Sequence, residues 1–275
     1  MDLTKWLYQY SLALGGKYFS LRFAQDTKHA GEINRRVLKE ILSANAGTVY
    51  GTLYGFAGIE NLKQYKENVP LTGYTDYQAY IERIANGEEK VLTAEPVKYF
   101  GLSSGTTGKQ KLIPTTKKGQ RLITMSMMFL QQGLLFEALP KARAGGKGCL
   151  LMNIVQTGTT PAGIPTGAAT SGGAKSMQKM MPHFWTSPLE VLQIGDQMIA
   201  NYLHLLFALQ DRTLAYLGAP FPSLIVQLFA LLEESWPELV ADLKLGTISA
   251  RLEIDPGLRD TLQRKLRPQP RRAEE

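Results

Sequence analysis

Three short runs rich in β-branched, aromatic and aliphatic residues set the main constraint on the fold: "VKYFGLS" at 97–103, "GCLLMNIVQ" at 148–156 and "TLAYLGA" at 213–219. Each reads as a strand, and between them lie longer segments with helical periodicity. Leu192, Ile199, Leu203, Leu206 and Leu209 mark one such helix, and "FPSLIVQLFALLEES" marks another. "WPELVADLKLGTIS" reads as one more short helix before a turn. Strands separated by helices call for crossover connections, so the expectation is an α/β fold with a parallel-type sheet flanked by helices. The first 45 residues read as two helices, with Leu3, Leu7, Tyr10 and Leu14 on one face and Ile33, Val37 and Ile41 on another. "YGTLYGFAGI" reads as a loop packed on the core, and "PLTGYTDYQAYIERIANGEE" as a helix that Thr75 or Asp76 can cap and Asn86-Gly87 can end.

Composition narrows the class. The chain has 275 residues, 44% hydrophobic and 20% charged, enough for a sizeable core. Much of the net charge of +7 gathers near the end, at Arg264, Lys265, Arg267, Arg271 and Arg272. No recognition motif accompanies that charge, so nucleic acid is not an expected partner. No segment reads as a signal peptide or a membrane span, and a soluble cytoplasmic protein is the default expectation. The one cysteine, Cys149, lies in an apolar run and reads as a buried structural thiol. No cluster of metal-ligand spacing appears, and His183 and His204 read as surface or satisfied core residues.

The chemistry concentrates in "LSSGTTGKQKLIPTT", residues 102–116. Ser103, Ser104, Thr106 and Thr107 offer hydroxyl donors, Gly105 and Gly108 let the backbone approach a ligand, and Lys109 and Lys111 add positive charge. After a strand and before a helix capped by Thr115 or Thr116, such a loop can aim several donors at one anion. A Walker A loop fails at two defining positions, since Ser103 replaces the first glycine and Gln110 replaces the metal-binding hydroxyl. Ser103 to Lys111 instead match [ST]-S-G-[ST]-T-G-x-x-K, the phosphate loop of AMP-forming adenylating enzymes, at every fixed position.

With its flanks, the loop resembles the GH3 family of acyl-acid amido synthetases, within the adenylate-forming superfamily. "VPLTGYTDYQAYIERIANGE" and "GLSSGTTGKQKLIPTT" are similar to the family's loop region. "TSPLEVLQIGDQMIANYLHLLFAL" and "LEESWPELVADLKLGTIS" are similar to its later helical segments. The resemblance implies the amino-terminal part of the large adenylate-forming domain: a helical segment 1–90, an α/β portion 91–260 and a basic tail 261–275. It implies ATP and Mg²⁺ as cofactors, and a carboxylic acid and an amine or amino acid as small-molecule partners. The acid would attack the α-phosphate of ATP to form an acyl-adenylate, and the amine would then displace AMP. The loop residues Ser103, Ser104, Gly105, Thr106, Thr107, Gly108 and Lys111 would hold the β- and γ-phosphates. Plant members usually carry one more loop residue, so a bacterial-type relative is expected. Motifs resembling Y-x-S-S-E and Y-R-x-G-D are absent from these residues, which implies roughly the first half of an enzyme, inactive alone. An acyl-CoA-forming ligase and a truncated binding module are the alternative readings.

Further candidates are less specific. The helix after the loop, running to about residue 138, reads as apolar nearly all round and therefore buried. By resemblance Met125 and Met128 would line the acyl pocket, although methionines also commonly fill cores. The stretch 157–176, low in hydrophobicity, reads as a functional or mobile loop, with Thr170 and Ser171 as candidate substrate contacts. Pro270 opens a helical turn with no evident anchoring face, which suggests a frayed tail or an element cut short.

Overall fold

The computed structural model describes residues 3–103, 111–139, 146–168 and 181–275. The chain forms two compact units. One comprises Gly15–Gln131 and Gln156–Gly173, the other Met1–Leu14, Gln132–Val155 and Ala174–Glu275.

In the first unit four strands make a sheet of order β2–β1–β5–β4. They are β1 (Val97–Leu102), β2 (Leu112–Thr116), β4 (Gln156–Thr159) and β5 (Pro165–Ala168). The inner pair β1–β5 is parallel, as the alternation of strands and helices predicts, while β2 and β4 run antiparallel at the edges. Helix α5 (Tyr74–Ala85) packs Ile81, Ile84 and Ala85 against Val97 and Phe100 of β1. Its start is fixed by Asp76, whose carboxylate accepts from the Gly73 N–H at 2.7 Å, and its end by Asn86 and Gly87 at φ +97°. Asp76 thus acts from the third helical position, one half of a capping box, and Gly73 takes the cap position itself. The "YGTLYGFAGI" stretch does reach the core through Tyr50, Phe56 and Ile59. It is helical rather than a loop: Thr48 caps α3 (Val49–Leu53), and a 3₁₀ turn follows over Phe56–Gly58.

The low-hydrophobicity stretch 157–176 is not wholly a loop. Its first half is the β4–β5 hairpin, which threonines favour. The Thr160 carbonyl accepts from the Gly163 N–H at 2.8 Å, and the Thr160 hydroxyl accepts from the Ile164 N–H at 3.2 Å. Gly163, at φ +78°, supplies the left-handed residue that ends the turn after Pro161-Ala162.

In the second unit β3 (Lys147–Leu150) and β6 (Leu214–Gly218) pair in parallel. The expected strand "GCLLMNIVQ" is therefore shorter than its apolar run, although Leu151 and Ile154 beyond it are buried. Helix α10 (Gln197–Gln210, α8 and α9 being Met181–Phe184 and Leu189–Leu192) is buried from Ala200 to Ala208 and packs on α11 (Pro222–Leu245). The two helices expected in "FPSLIVQLFALLEES" and "WPELVADLKLGTIS" are one: α11 runs through Pro237 as a single helix of 24 residues. A proline there removes one backbone donor, an affordable loss in a helix held by Leu228, Leu231, Leu239 and Leu243 on its buried face. The tail is not frayed. Leu262 of α12 (Pro256–Gln263) and Leu266 are buried, the Gln269 N–H bonds the Leu243 carbonyl at 2.9 Å, and Arg272 of α13 (Pro270–Glu274) reaches the Leu209 carbonyl at 3.1 Å.

Helix α1 (Leu3–Lys28) and α2 (Ala30–Asn45) have the expected extents, but the expected faces are not the buried ones. Leu7, Tyr10, Leu14, Val37 and Ile41 are exposed, while Leu12 and Leu42 are buried.

Two buried polar side chains of the second unit have well-defined partners. Asp242 accepts from the Tyr202 hydroxyl at 2.7 Å, the Thr247 hydroxyl at 3.0 Å and the Ser249 N–H at 2.7 Å. His204 shares a 2.7 Å hydrogen bond with the Ser187 hydroxyl, and burial lowers its pKa from 6.5 to about 4. In the unfolded chain the ring gains its proton near 6.5, whereas in the folded chain it stays neutral down to about 4. Between those values the unfolded state binds more protons, so stability is full above about pH 6.5 and is lost as pH falls toward 4. Unfolding free energies from urea titrations between pH 7 and pH 4.5 are expected to fall by about 1 kcal/mol per pH unit from this group. His204→Gln should flatten that slope, and an equal slope in both proteins would exclude the assignment.

Candidate functional site

The signature loop leaves from the central strand β1 and returns along β2. The Ser103 N–H donates to the Lys111 carbonyl at 3.1 Å, directly beyond the Leu102–Leu112 pair, so the two ends of the loop are tied together. The loop therefore connects two antiparallel strands, not a strand and a helix. Thr116 does cap the following helix α6 (Lys117–Met125), accepting from the Gly119 N–H at 3.1 Å. But β2 intervenes, five residues or about 17 Å at roughly 3.4 Å per residue, so the α6 dipole does not act at Lys111, the described end of the loop.

Pro114, just before the expected caps Thr115 and Thr116, sits on β2 opposite Phe100. Since β2 is an edge strand, the missing N–H costs no ladder bond.

Ser103 and Lys111 are the two signature residues within the described structure. Ser104, Gly105, Thr106, Thr107 and Gly108 lie outside the described residues. The Ser103 hydroxyl oxygen is shielded from solvent and has no partner among the described residues, an expensive position for a donor unless a ligand or the loop itself satisfies it. Lys111 is exposed, with its ammonium 5.3 Å from the centre of the Tyr74 ring. The Tyr74 hydroxyl accepts from the Leu112 N–H at 2.9 Å and donates to the Leu112 carbonyl at 3.4 Å. Sequence reading missed Tyr74; as the first residue of α5 it looked like part of a capping segment, and nothing one-dimensional ties it to residue 111.

Met125 closes α6 and is half-buried, while Met128 lies in the π-helical turn Ser126–Gln131 that follows, its side chain outside the description. The helix after the loop runs without a break to Ala138, as expected, with a π turn inside it, but it is not buried all round. Its first turns carry Lys117, Lys118, Gln120 and Arg121, Leu122 and Ile123 are exposed, and the π turn joins α6 to α7 (Gln132–Ala138). Extra residues accommodated as a π turn rotate the faces on either side of it, a device common near functional sites. Thr170 and Ser171 fall outside the described residues.

Other candidate groups have structural surroundings. Cys149 is fully buried, its thiol pushed up to about 11 by burial, which makes it unreactive. His183 stacks on Tyr8 with ring centres 4.6 Å apart. Among the described residues no three His, Cys, Asp or Glu side chains converge on a metal position, and no helix is long and apolar enough to cross a membrane.

Comparison with known proteins gives a consistent picture. Residues 20–275 match the GH3 family N-terminal domain. Indole-3-acetic acid-amido synthetase GH3.6 of Arabidopsis thaliana is 32% identical over 92% of this chain and 42% of its own length. Jasmonoyl--L-amino acid synthetase JAR6 of Nicotiana attenuata is also 32% identical, over 92% of this chain and 44% of its own. Among solved structures, the GH3.15 acyl acid amido synthetase superposes with a TM-score of 0.76 at 30% identity, covering 89% of this chain and 43% of that one. The chain spans less than half the length of the curated relatives it matches.

Proposed function

The chain belongs to the GH3 family, matching its amino-terminal domain, and from that premise we propose that it is the phosphate-gripping part of an ATP-dependent, AMP-forming ligase. The ligase adenylates a carboxylic acid and passes the acyl group to an amine or amino acid. The observation that carries the reading is the hairpin closure between Ser103 and Lys111, which sets a full adenylation signature at the end of the central strand with a shielded, unpartnered hydroxyl at its base.

In this reading Ser103, Ser104, Gly105, Thr106, Thr107, Gly108 and Lys111 hold the β- and γ-phosphates. Their N–H, hydroxyl and ammonium donors stabilise charge as pyrophosphate departs. Met125 and Met128 border the acid, and Thr170 and Ser171 face the substrates. ATP brings Mg²⁺ as a complex whose charge the phosphates share; Ser103 and Lys111 are a hydroxyl and a cation, suited to phosphate oxygens rather than to holding the metal. The reaction runs in the cytoplasm. The product is an amide rather than a thioester, in line with the amido synthetase names of the relatives.

The complete enzyme, given ATP, Mg²⁺ and a panel of carboxylic acids that includes indole-3-acetate and jasmonate, is expected to show acid-dependent exchange of labelled pyrophosphate into ATP. Exchange that no acid stimulates would sink the assignment. Mass analysis after adding amino acids then separates amide from thioester.

A further inference from the structure

We infer that Tyr74 is a positioning residue for the phosphate loop, holding both the backbone at the loop's exit and the ammonium of Lys111; the inference rests on the phosphate-binding reading above.

Strand β2 is the sheet's edge, so alternate residues turn their N–H and carbonyl away from β1. Lys111 faces inward, its carbonyl accepting from Ser103. Leu112, next in line, faces outward, where no strand follows it in the sheet order. Two bonds from one hydroxyl fill that gap: Tyr74 accepts from the Leu112 N–H and donates to its carbonyl. Pro114 is the next outward-facing residue and has no N–H to satisfy, so the edge is clamped at its first residue, beside the loop.

The rest of Tyr74 is firmly placed. It opens α5 where the Asp76–Gly73 bond fixes the first turn, and its ring packs with Leu112 on the cluster of Ile81, Ile84 and Phe100. A ring seated on the core presents its face to Lys111, 5.3 Å away. The attraction of an ammonium for an aromatic face limits where a long, flexible lysine can go. Lys111 is therefore held at the loop's exit before any anion arrives, and less side-chain freedom is lost on binding. A hydroxyl that only stitched an edge strand would need no cation on its ring.

The test uses lysine labelled with ¹³C at the ε position and inorganic pyrophosphate as probe, at low ionic strength. The Lys111 signal, assigned by its loss in Lys111→Arg, is expected upfield of the other lysines through the Tyr74 ring current. It should stay upfield in Tyr74→Phe, lose the shift in Tyr74→Leu, and move when pyrophosphate is added. Tyr74→Phe, which keeps the ring, should weaken pyrophosphate binding about 2- to 4-fold, and Tyr74→Leu about 10-fold. A Lys111 signal that Tyr74→Leu leaves unchanged, or equal affinities in wild type and Tyr74→Leu, would overturn the positioning role. If pyrophosphate moves no Lys111 signal in the wild type and Lys111→Ala binds it no differently, the phosphate-loop reading fails and the inference with it, even with the ring contact intact.

Discussion

Lys111→Ala is expected to lower acid-dependent ATP–pyrophosphate exchange in the complete enzyme about 100-fold, a loss typical of removing one electrostatic contact to the charge that develops in a transition state. Lys111 closes the loop opposite Ser103, and the hydrogen bond between their backbones keeps the pair in place when the side chain is cut back. The variant therefore removes charge without opening the hairpin. Because pyrophosphate gains charge as it leaves, kcat should fall more than the KM for ATP rises. Lys111→Arg keeps a cation but replaces a compact ammonium by a planar fork, and should retain a tenth or more of the exchange, roughly. Exchange within about twofold of wild type in Lys111→Ala would mean that the loop's N–H and hydroxyl groups suffice.

The largest expected loss of stability is at Asp242. Its buried carboxylate accepts from Tyr202, Thr247 and Ser249, which come from α10 and from the turn after α11. The Tyr202 hydroxyl is itself buried, and burial together with this bond raises its pKa further above 10, so it serves as a fixed donor. Asp242→Ala leaves a buried hydroxyl and a backbone N–H without partners, at about 1–3 kcal/mol each, and opens a small void. A total near 4 kcal/mol is expected from urea denaturation. Asp242→Asn, which keeps the shape and an acceptor oxygen, should cost about half as much. Tyr202→Phe removes one donor and leaves the turn closed, so a loss equal to that of Asp242→Ala would show that the turn bonds contribute nothing.

Much of this was legible in the sequence where a local signal carried the information. The strand 97–102, the helix 74–85 with its Asn-Gly end and the adenylation signature all follow from residues close together in the chain. Proline was the least transparent letter. Pro114 lies on an edge strand and Pro237 inside a helix, because tertiary packing determines whether a missing N–H matters. The faces of α1 and α2 were misjudged for two reasons: apolar residues occur around much of α1, so periodicity does not pick its buried side, and in α2 one edge of the apolar stripe, Leu38 and Leu42, packs on the core while Val37 and Ile41 stay exposed. Tyr74 was invisible, since its significance depends on the sheet edge that brings it to Leu112 and Lys111.

The tied ends of the signature loop also bear on how such enzymes diverge. With Ser103 bonded to Lys111 and Leu102 paired to Leu112, strand register is fixed below the loop, independently of how many residues lie between. A residue can be gained or lost above that closure at little entropic cost and without turning any strand side chain to the other face. The loop is in this sense a cassette: its length can change while the sheet is inherited unaltered.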